Sequence, residues 1–321
     1  MEIAGASDRM PWTRWLESYA IWFVLLALFA VAAILSEAFL RPIYLFNVVR
    51  QVAPVGIAAI GVTFVMVLGG VDLSVGAVIS LTAVVSAVFM DGQIANIPMA
   101  IAVSLVVGMA VGLANGLLIA FNRVSPFILT LGMAIAVYGI TQIYSGGTAR
   151  GVVSPGFREF FNYRVGGLVP GLAIAFAILA LLGVLVQRFT RYGRNLYLVG
   201  SNREAAMLSG LPVARLTVVT YTVSGFFASL AGLALLARSG VSSTFAGRGF
   251  EFDVLAAVVL GGTTFEGGRG GIGGTVAGVF VLVLAFNLVN IVGLSYNMQL
   301  TVKGLIIILA SALYAYLKRT R

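Results

Sequence analysis

The chain has 321 residues, 60% hydrophobic and only 10% charged; soluble domains carry about 25% charged residues, so a cytosolic enzyme, a secreted domain and a disordered regulator are excluded and a polytopic membrane protein remains. Histidine and cysteine are both absent, which removes Cys/His zinc centres, disulfides and Ser-His or Cys-His catalytic pairs. The net charge is +9, but the basic residues fall in short loops between apolar runs, a topology signal and not a nucleic-acid footprint.

Charge-poor apolar stretches of about 20 residues, the length a bilayer asks of a helix, are read in chain order at ten places: 19–39, 52–70, 73–90, 97–121, 126–145, 167–187, 214–237, 253–263, 271–293 and 297–317. The first reads as a retained helix. Its apolar stretch from Tyr19 to Leu35 is longer than a signal-peptide core, and no small-residue cleavage site follows. The organisation is thus a cytosolic segment 1–18, one transmembrane domain over 19–317, and a basic tail 318–321. With a cytosolic N-terminus and ten crossings, twelve Lys/Arg lie inside, seven outside, and Lys303 within a helix. The bias obeys the positive-inside rule, puts both termini in the cytoplasm, and is clearest in the 188–215 loop and the tail.

Two segments abut at Gly69-Gly70-Val71-Asp72-Leu73-Ser74-Val75-Gly76. The glycines Gly69 and Gly70 allow a sharp reversal, and Asp72 is placed to cap the next helix. An acid within a span is also a functional candidate, in which case Asp72 and Ser74 face a water-filled path. Val67-Leu68-Gly69-Gly70 recurs as Val259-Leu260-Gly261-Gly262, an echo of the repeats on which transporters are built or a coincidence in a Gly- and Val-rich chain. The second copy opens a run with eight glycines in fourteen residues, Gly261 to Gly274. The apolar segment before it spans about 16 Å, half a bilayer. A short or broken helix and a hinge at Gly261, Gly262, Gly267 and Gly268 follow. Gly268 to Gly273 fits GxGxxG, but no βαβ unit surrounds it, and no GxxxxGK[ST] occurs; the chain has no ATP-binding P-loop of its own.

The most basic loop contains Ser201-Asn202-Arg203-Glu204-Ala205-Ala206-Met207, then Gly210 and Pro212. Ser201 and Glu204 have capping-box spacing, and Gly210 and Pro212 make a stop. A two-turn helix bounded at both ends fits a docking element for a partner better than a connector. Gly108, Gly112, Gly116 and Gly270, Gly274, Gly278 repeat every four residues, a packing pattern. Intramembrane Asn115, Thr130, Gln142, Asn287, Asn290, Gln299 and Lys303 bond across helices or line a path; Lys303 snorkels, or pairs with Asp253 or Glu251. No catalytic residue, metal ligand or cofactor site is read.

These features together resemble one family. Thr63 to Gly76, Tyr192-Gly193-Arg194 with Gly200-Ser201-Asn202 and Ala205-Ala206, Phe252 to Gly262 running on to Gly267-Gly268-Arg269-Gly270, and Val302 to Ile306 are similar to ribose/xylose-type permease subunits of bacterial ABC importers, in the branched-chain amino acid/sugar permease superfamily. The resemblance covers roughly 40 to 317. It implies an all-α, type II-like permease in the inner membrane, paired with a second copy or a paralogue. A periplasmic sugar-binding protein would deliver a monosaccharide, and a cytosolic ABC ATPase would dock on the coupling helix at 202–209. The pathway candidates are then Asp72, Ser74, Asn115, Thr130, Asn287 and Asn290. An ion-coupled secondary transporter, with Asp72 as the ion ligand, is the alternative, as is an ABC permease for a nucleoside or another small polar solute.

Overall fold

In lipid every backbone polar group has to be satisfied within the protein, so apolar runs become helices. A computed structural model describes residues 11–122 and 124–293, with single positions 298, 301, 304, 305 and 308. The helices are α1 (Pro11–Leu35), α2 (Pro42–Val67), α3 (Val75–Met90), α4 (Ile97–Asn122), α5 (Pro126–Ser145), α6 (Pro155–Asn162), α7 (Gly171–Phe189), α8 (Arg191–Ser201), α9 (Arg203–Leu208), α10 (Val213–Ser239), α11 (Phe250–Leu260) and α12 (Ile272–Ile291). Two-residue strands β1 (Arg164–Val165) and β2 (Val169–Pro170) pair antiparallel ahead of α7. Among the described residues, six helices are long and apolar enough to cross a membrane: α2, α4 with the turn before it, α5, α7, α10 and α12. Ile21–Leu35 of α1 and α3 are shorter apolar helices. The expected segment 297–317, with Gln299 and Lys303, lies outside the described residues apart from those single positions, as does the tail 318–321.

Nine of the ten expected segments have a helix in place. Some boundaries differ for physical reasons. Helix α2 begins at Pro42 and not near 52. Proline suits the first helical position, and Arg50 does not end the helix because its Nη1 donates to Asn162 Oδ1 at 3.1 Å. Helices α6 and α8 fall in stretches read as polar loops.

Helix α2 is the centre. Every residue from Val52 to Val67 is buried, and α7, α10, α11 and α12 pack round it. Helices α4 and α5 bury only one stripe. On α4 that stripe holds the glycine repeat, packed on α10. A Cβ at Gly112 would run into the Tyr221 carbonyl oxygen, one at Gly108 into Ser229 Oγ, and one at Gly116 would come within 2.7 Å of Val218 Cα. The backbones meet because nothing stands between them. Gly112→Ala is accordingly expected to destabilise the protein by about 1–3 kcal/mol, read as a lower thermal midpoint in detergent. Gly139→Ala, which meets nothing within 4 Å, serves as the silent control. The second repeat is only partly helical. Gly274 and Gly278 pack on Gly261 and Ala257 of α11, but Gly270 lies in the loop before α12 at φ +95° against Thr263.

Hydrogen bonds between helices mark two ends. At one, Arg238 Nη1 donates to the Gln51 carbonyl at 3.4 Å, Arg164 Nη2 to Asn47 Oδ1 at 3.3 Å and Tyr44 Oη to Asn287 Oδ1 at 3.5 Å. At the other, the Gly268 N–H donates to the Val67 carbonyl at 2.9 Å. Arg50, Arg158 and Arg238 share a cavity of about 400 Å³ at the first end. Arg269 lies beside Gly268 at the second.

Candidate functional site

The chain reverses between α2 and α3 in seven residues, Leu68 to Ser74, of which Gly69 is exposed, Val71 half-buried and the rest buried. Helix α2 ends in a Schellman motif: Gly69 is left-handed at φ +88°, its N–H donates to the Met66 carbonyl, and the Gly70 N–H donates to Val65, both at 2.9 Å. Only glycine adopts that conformation without strain. Side chains from two helices then hold the backbone of the turn, whose buried groups have no water to turn to. Leu73 N–H donates to Thr130 Oγ1 of α5 at 3.1 Å, and Tyr221 Oη of α10 donates to the Val71 carbonyl at 3.1 Å.

Asp72 is the hub. It is 2% exposed. Its Oδ1 accepts from the Ser74 N–H at 3.0 Å and from Ser74 Oγ at 2.6 Å; its Oδ2 accepts from Ser224 Oγ of α10 at 2.7 Å. Asn115 Nδ2 of α4 donates to Ser74 Oγ at 2.9 Å. Asp72 therefore ties the entry of α3 to α4 and α10. Ser74 stands at the cap position and makes no side-chain cap bond; Asp72, expected as the cap, instead accepts the N–H of Ser74 from two positions upstream. All three acceptor contacts fall on oxygens that no guanidinium or ammonium approaches in the bonds described.

Four of the six pathway candidates, Asp72, Ser74, Asn115 and Thr130, thus meet in one cluster. Asn287 does not. Its Nδ2 donates to the Val283 carbonyl at 2.8 Å and to Gln51 Oε1 at 3.5 Å, toward the opposite end of α2. Asn290 is exposed one turn further on. The sequence reading missed Tyr221 and Ser224. Each is one hydroxyl in an apolar helix about 150 positions from its partner, with no local signal to mark it.

The two glycine breaks meet. Helix α11 ends like α2: Gly262 is left-handed at φ +86°, its N–H donates to Val259 at 2.9 Å, and Thr263 N–H donates to Val258 at 3.2 Å. The four-residue echo is offset by one in space, since the left-handed residue is the first glycine of the pair after α2 and the second after α11. The loop beyond α11 folds back onto α2. A Cβ at Gly267 would lie 2.7 Å from Gly69 Cα, and one at Gly200 of α8 would run into the Val67 carbonyl. Gly268, at φ +68°, abuts Ser201. Thus Gly69, Gly200, Gly267 and Gly268 form a side-chain-free junction of both breaks with the end of α8, while Gly70 packs under Tyr221.

Helix α9 follows directly. Its cap is not Ser201, which is the last residue of α8, but Asn202, extended at φ −158°, whose Oδ1 accepts from Ala205 N–H at 2.9 Å. The expected Ser201–Glu204 capping box is replaced because α8 takes Ser201 for itself; Glu204 remains in the first turn, where an acid suits the helix dipole. The stop is as read: Gly210 is left-handed at φ +79°, Gly210 N–H donates to Met207 at 3.0 Å and Leu211 N–H to Ala206 at 3.1 Å. Arg203, Ala205 and Met207 are exposed and Ala206 is buried. Helix α8 has a cap of its own in Thr190, whose Oγ1 accepts from Gly193 N–H at 3.1 Å.

Residues 44–311 match the family model described as branched-chain amino acid transport system / permease component. The chain is 40% identical over 291 residues to the ribose import permease protein RbsC of Bacillus subtilis, covering 89% of each chain. It is 36% identical over 317 residues to RbsC of Escherichia coli K12, covering 97% of this chain and 98% of that one. Galactose/methyl galactoside import permease protein MglC of Haemophilus influenzae is 34% identical over 317 residues, covering 93% and 94%. No solved structure matches the chain.

Proposed function

The chain belongs to the family of branched-chain amino acid transport permease components, and from that membership we propose that it is the membrane-spanning permease subunit of an ATP-driven importer in a bacterial inner membrane, passing a monosaccharide that a periplasmic binding protein delivers. Near-full-length likeness to permeases named for ribose and galactose import supports the substrate class. The observation that carries the mechanism is the contact of the α8–α9 unit with both helix breaks. A helix of six residues, closed by Asn202 and Gly210 and carrying exposed Arg203 and Met207, is a surface for another protein. Through Gly200 and Ser201 its displacement reaches Val67–Gly69 and Gly267–Gly268 directly.

In this reading a cytosolic ABC ATPase pair docks on Asn202–Met207. The α8–α9 end and both termini face the cytoplasm, and the arginine-lined end faces the binding protein. A second permease, a copy or a paralogue, completes the pore. The chain breaks no bond and binds no cofactor; hydrolysis belongs to the ATPase. Closure of the ATPases pushes α9, and the breaks at Gly69–Gly70 and Gly261–Gly268 rearrange. Ser74, Asn115 and Thr130 are buried at the first break, and its rearrangement would present their hydroxyl and amide groups to a neutral polyol.

The test is co-purification with the ATPase and binding protein encoded beside it, followed by hydrolysis and uptake with candidate sugars. A stable complex with sugar-stimulated hydrolysis is expected, lost when Asn202 and Met207 are both replaced by Asp. Uptake that follows a sodium or proton gradient, with no ATPase bound, overturns the reading.

A further inference from the structure

A cavity of about 630 Å³ opens between α1, α7, α8 and the turn joining α11 to α12. None of the groups described so far as holding the breaks or the docking helix explains its chemistry. One wall is the start of α12. The first N–H groups of a helix have no partner within it, and that of Ile272 is taken by Gln187 Oε1 at 2.9 Å. Gly273 and Gly274 come next and line the cavity, with no side chain to cover their N–H groups. Gln187 lines it too. It is 5% exposed, and its Nε2 has no partner among the described residues. Arg188, exposed in the last turn of α7, brings a guanidinium to the same space. Helix N–H groups, an amide donor and a guanidinium around one cavity are the chemistry of a bound phosphate group.

The facing wall has the opposite polarity. The end of α11, Leu260 to Gly262, lines the same cavity, and the last carbonyls of a helix carry its negative pole. A bare anion would be drawn by one wall and repelled by the other. A zwitterion with phosphate at one end and an ammonium at the other suits both. The position fits as well: Ile21 of α1 lines the cavity two residues into the apolar stretch that begins at Tyr19, and α7 ends at Phe189 beside it. It therefore sits at the border of the apolar spans, the level of lipid headgroups.

We propose that this cavity is a binding site for a phosphoethanolamine group, carried by a phospholipid or free in solution. The phosphate lies on the start of α12, Gln187 and Arg188; the ammonium lies on the carbonyl end of α11. The site is independent of which solute the chain transports.

The full-length chain, purified in detergent, is to be titrated with phosphatidylethanolamine, phosphatidylglycerol and O-phosphoethanolamine, with lipid retention read by native mass spectrometry and binding by the thermal midpoint. Retention of phosphatidylethanolamine well above phosphatidylglycerol is expected; saturation by O-phosphoethanolamine without lipid retention identifies the soluble source and supports the site equally. Arg188→Gln removes a charge-assisted contact and is expected to weaken binding about tenfold or more. Gly273→Asp puts a carboxylate into open space at a helix start, where it does not strain the fold, and is expected to abolish binding without lowering the midpoint of the unliganded protein. No binding of either form, measurable and equal retention of the two lipids, or binding unchanged in both variants overturns the proposal.

Discussion

Asp72→Leu is expected to cost the protein roughly 3–5 kcal/mol, since it leaves the Ser74 N–H and two hydroxyl groups without their buried acceptor. Asp72→Asn is expected to cost about 1 kcal/mol or less, because the geometry lets an amide replace the carboxylate. Its oxygen keeps both Ser74 contacts, its Nδ2 donates to Ser224 Oγ, and Ser224 turns its own proton to the carbonyl four residues back, as Ser and Thr in helices do. Thermal unfolding in detergent separates the two variants, and sugar uptake is expected to survive in the amide. Uptake lost in Asp72→Asn at an unchanged midpoint would mean that the charge itself acts on the path, and the scaffold reading would fall.

The second large effect belongs to Gly200. Its backbone is ordinary helix, so Gly200→Ala introduces no conformational strain; the cost is purely the collision of a methyl group with the Val67 carbonyl and the Gly268 backbone. Neither can move without displacing α2 or the loop after α11, because both are backbone. The expected outcome is uptake reduced at least about tenfold, with ATP hydrolysis retained but no longer stimulated by sugar, since the α9 surface itself is unaltered. The methyl group would stand well inside contact distance of the Val67 carbonyl oxygen, so a shift of about 1 Å is needed to admit it, enough for such an effect. Wild-type uptake with wild-type stimulation would show that the junction does not carry the coupling.

How much of this was legible in the sequence depends on the range of the interaction. The breaks at Gly69–Gly70 and Gly261–Gly262 were, because a left-handed helix stop needs glycine locally and the residues are adjacent. The stop of α9 at Gly210 was, for the same reason; its start was misread by one residue, because Ser201 joins α8 and the cap falls to Asn202. Helix α8 itself was not. Its arginines and Gly193 break the apolar run, and it is stabilised instead by Thr190 and by packing of Leu196 and Val199. The start of α2 was missed because Arg50 looked like a terminus, and its partner Asn162 is 112 positions away. The cluster round Asp72 was half visible: polar residues in apolar helices are conspicuous singly, but nothing local sorts Asn115 and Thr130, which reach the hub, from Asn287, which bonds at the far end of α2.

The junction of Gly69, Gly200, Gly267 and Gly268 has a mechanical consequence. Ordinary helix contacts interlock: ridges of side chains sit in grooves, and sliding one element past another requires rotamers to change and cavities to open. Here the touching surfaces are α-carbons and peptide groups, smooth on the scale of a methyl. The Gly268 N–H to Val67 carbonyl bond pins the two elements at one point, while the absence of slack around it keeps a push on one from being absorbed before it reaches the next. Such a contact is a pinned joint, with the hydrogen bond as its pin and bare backbone as its faces.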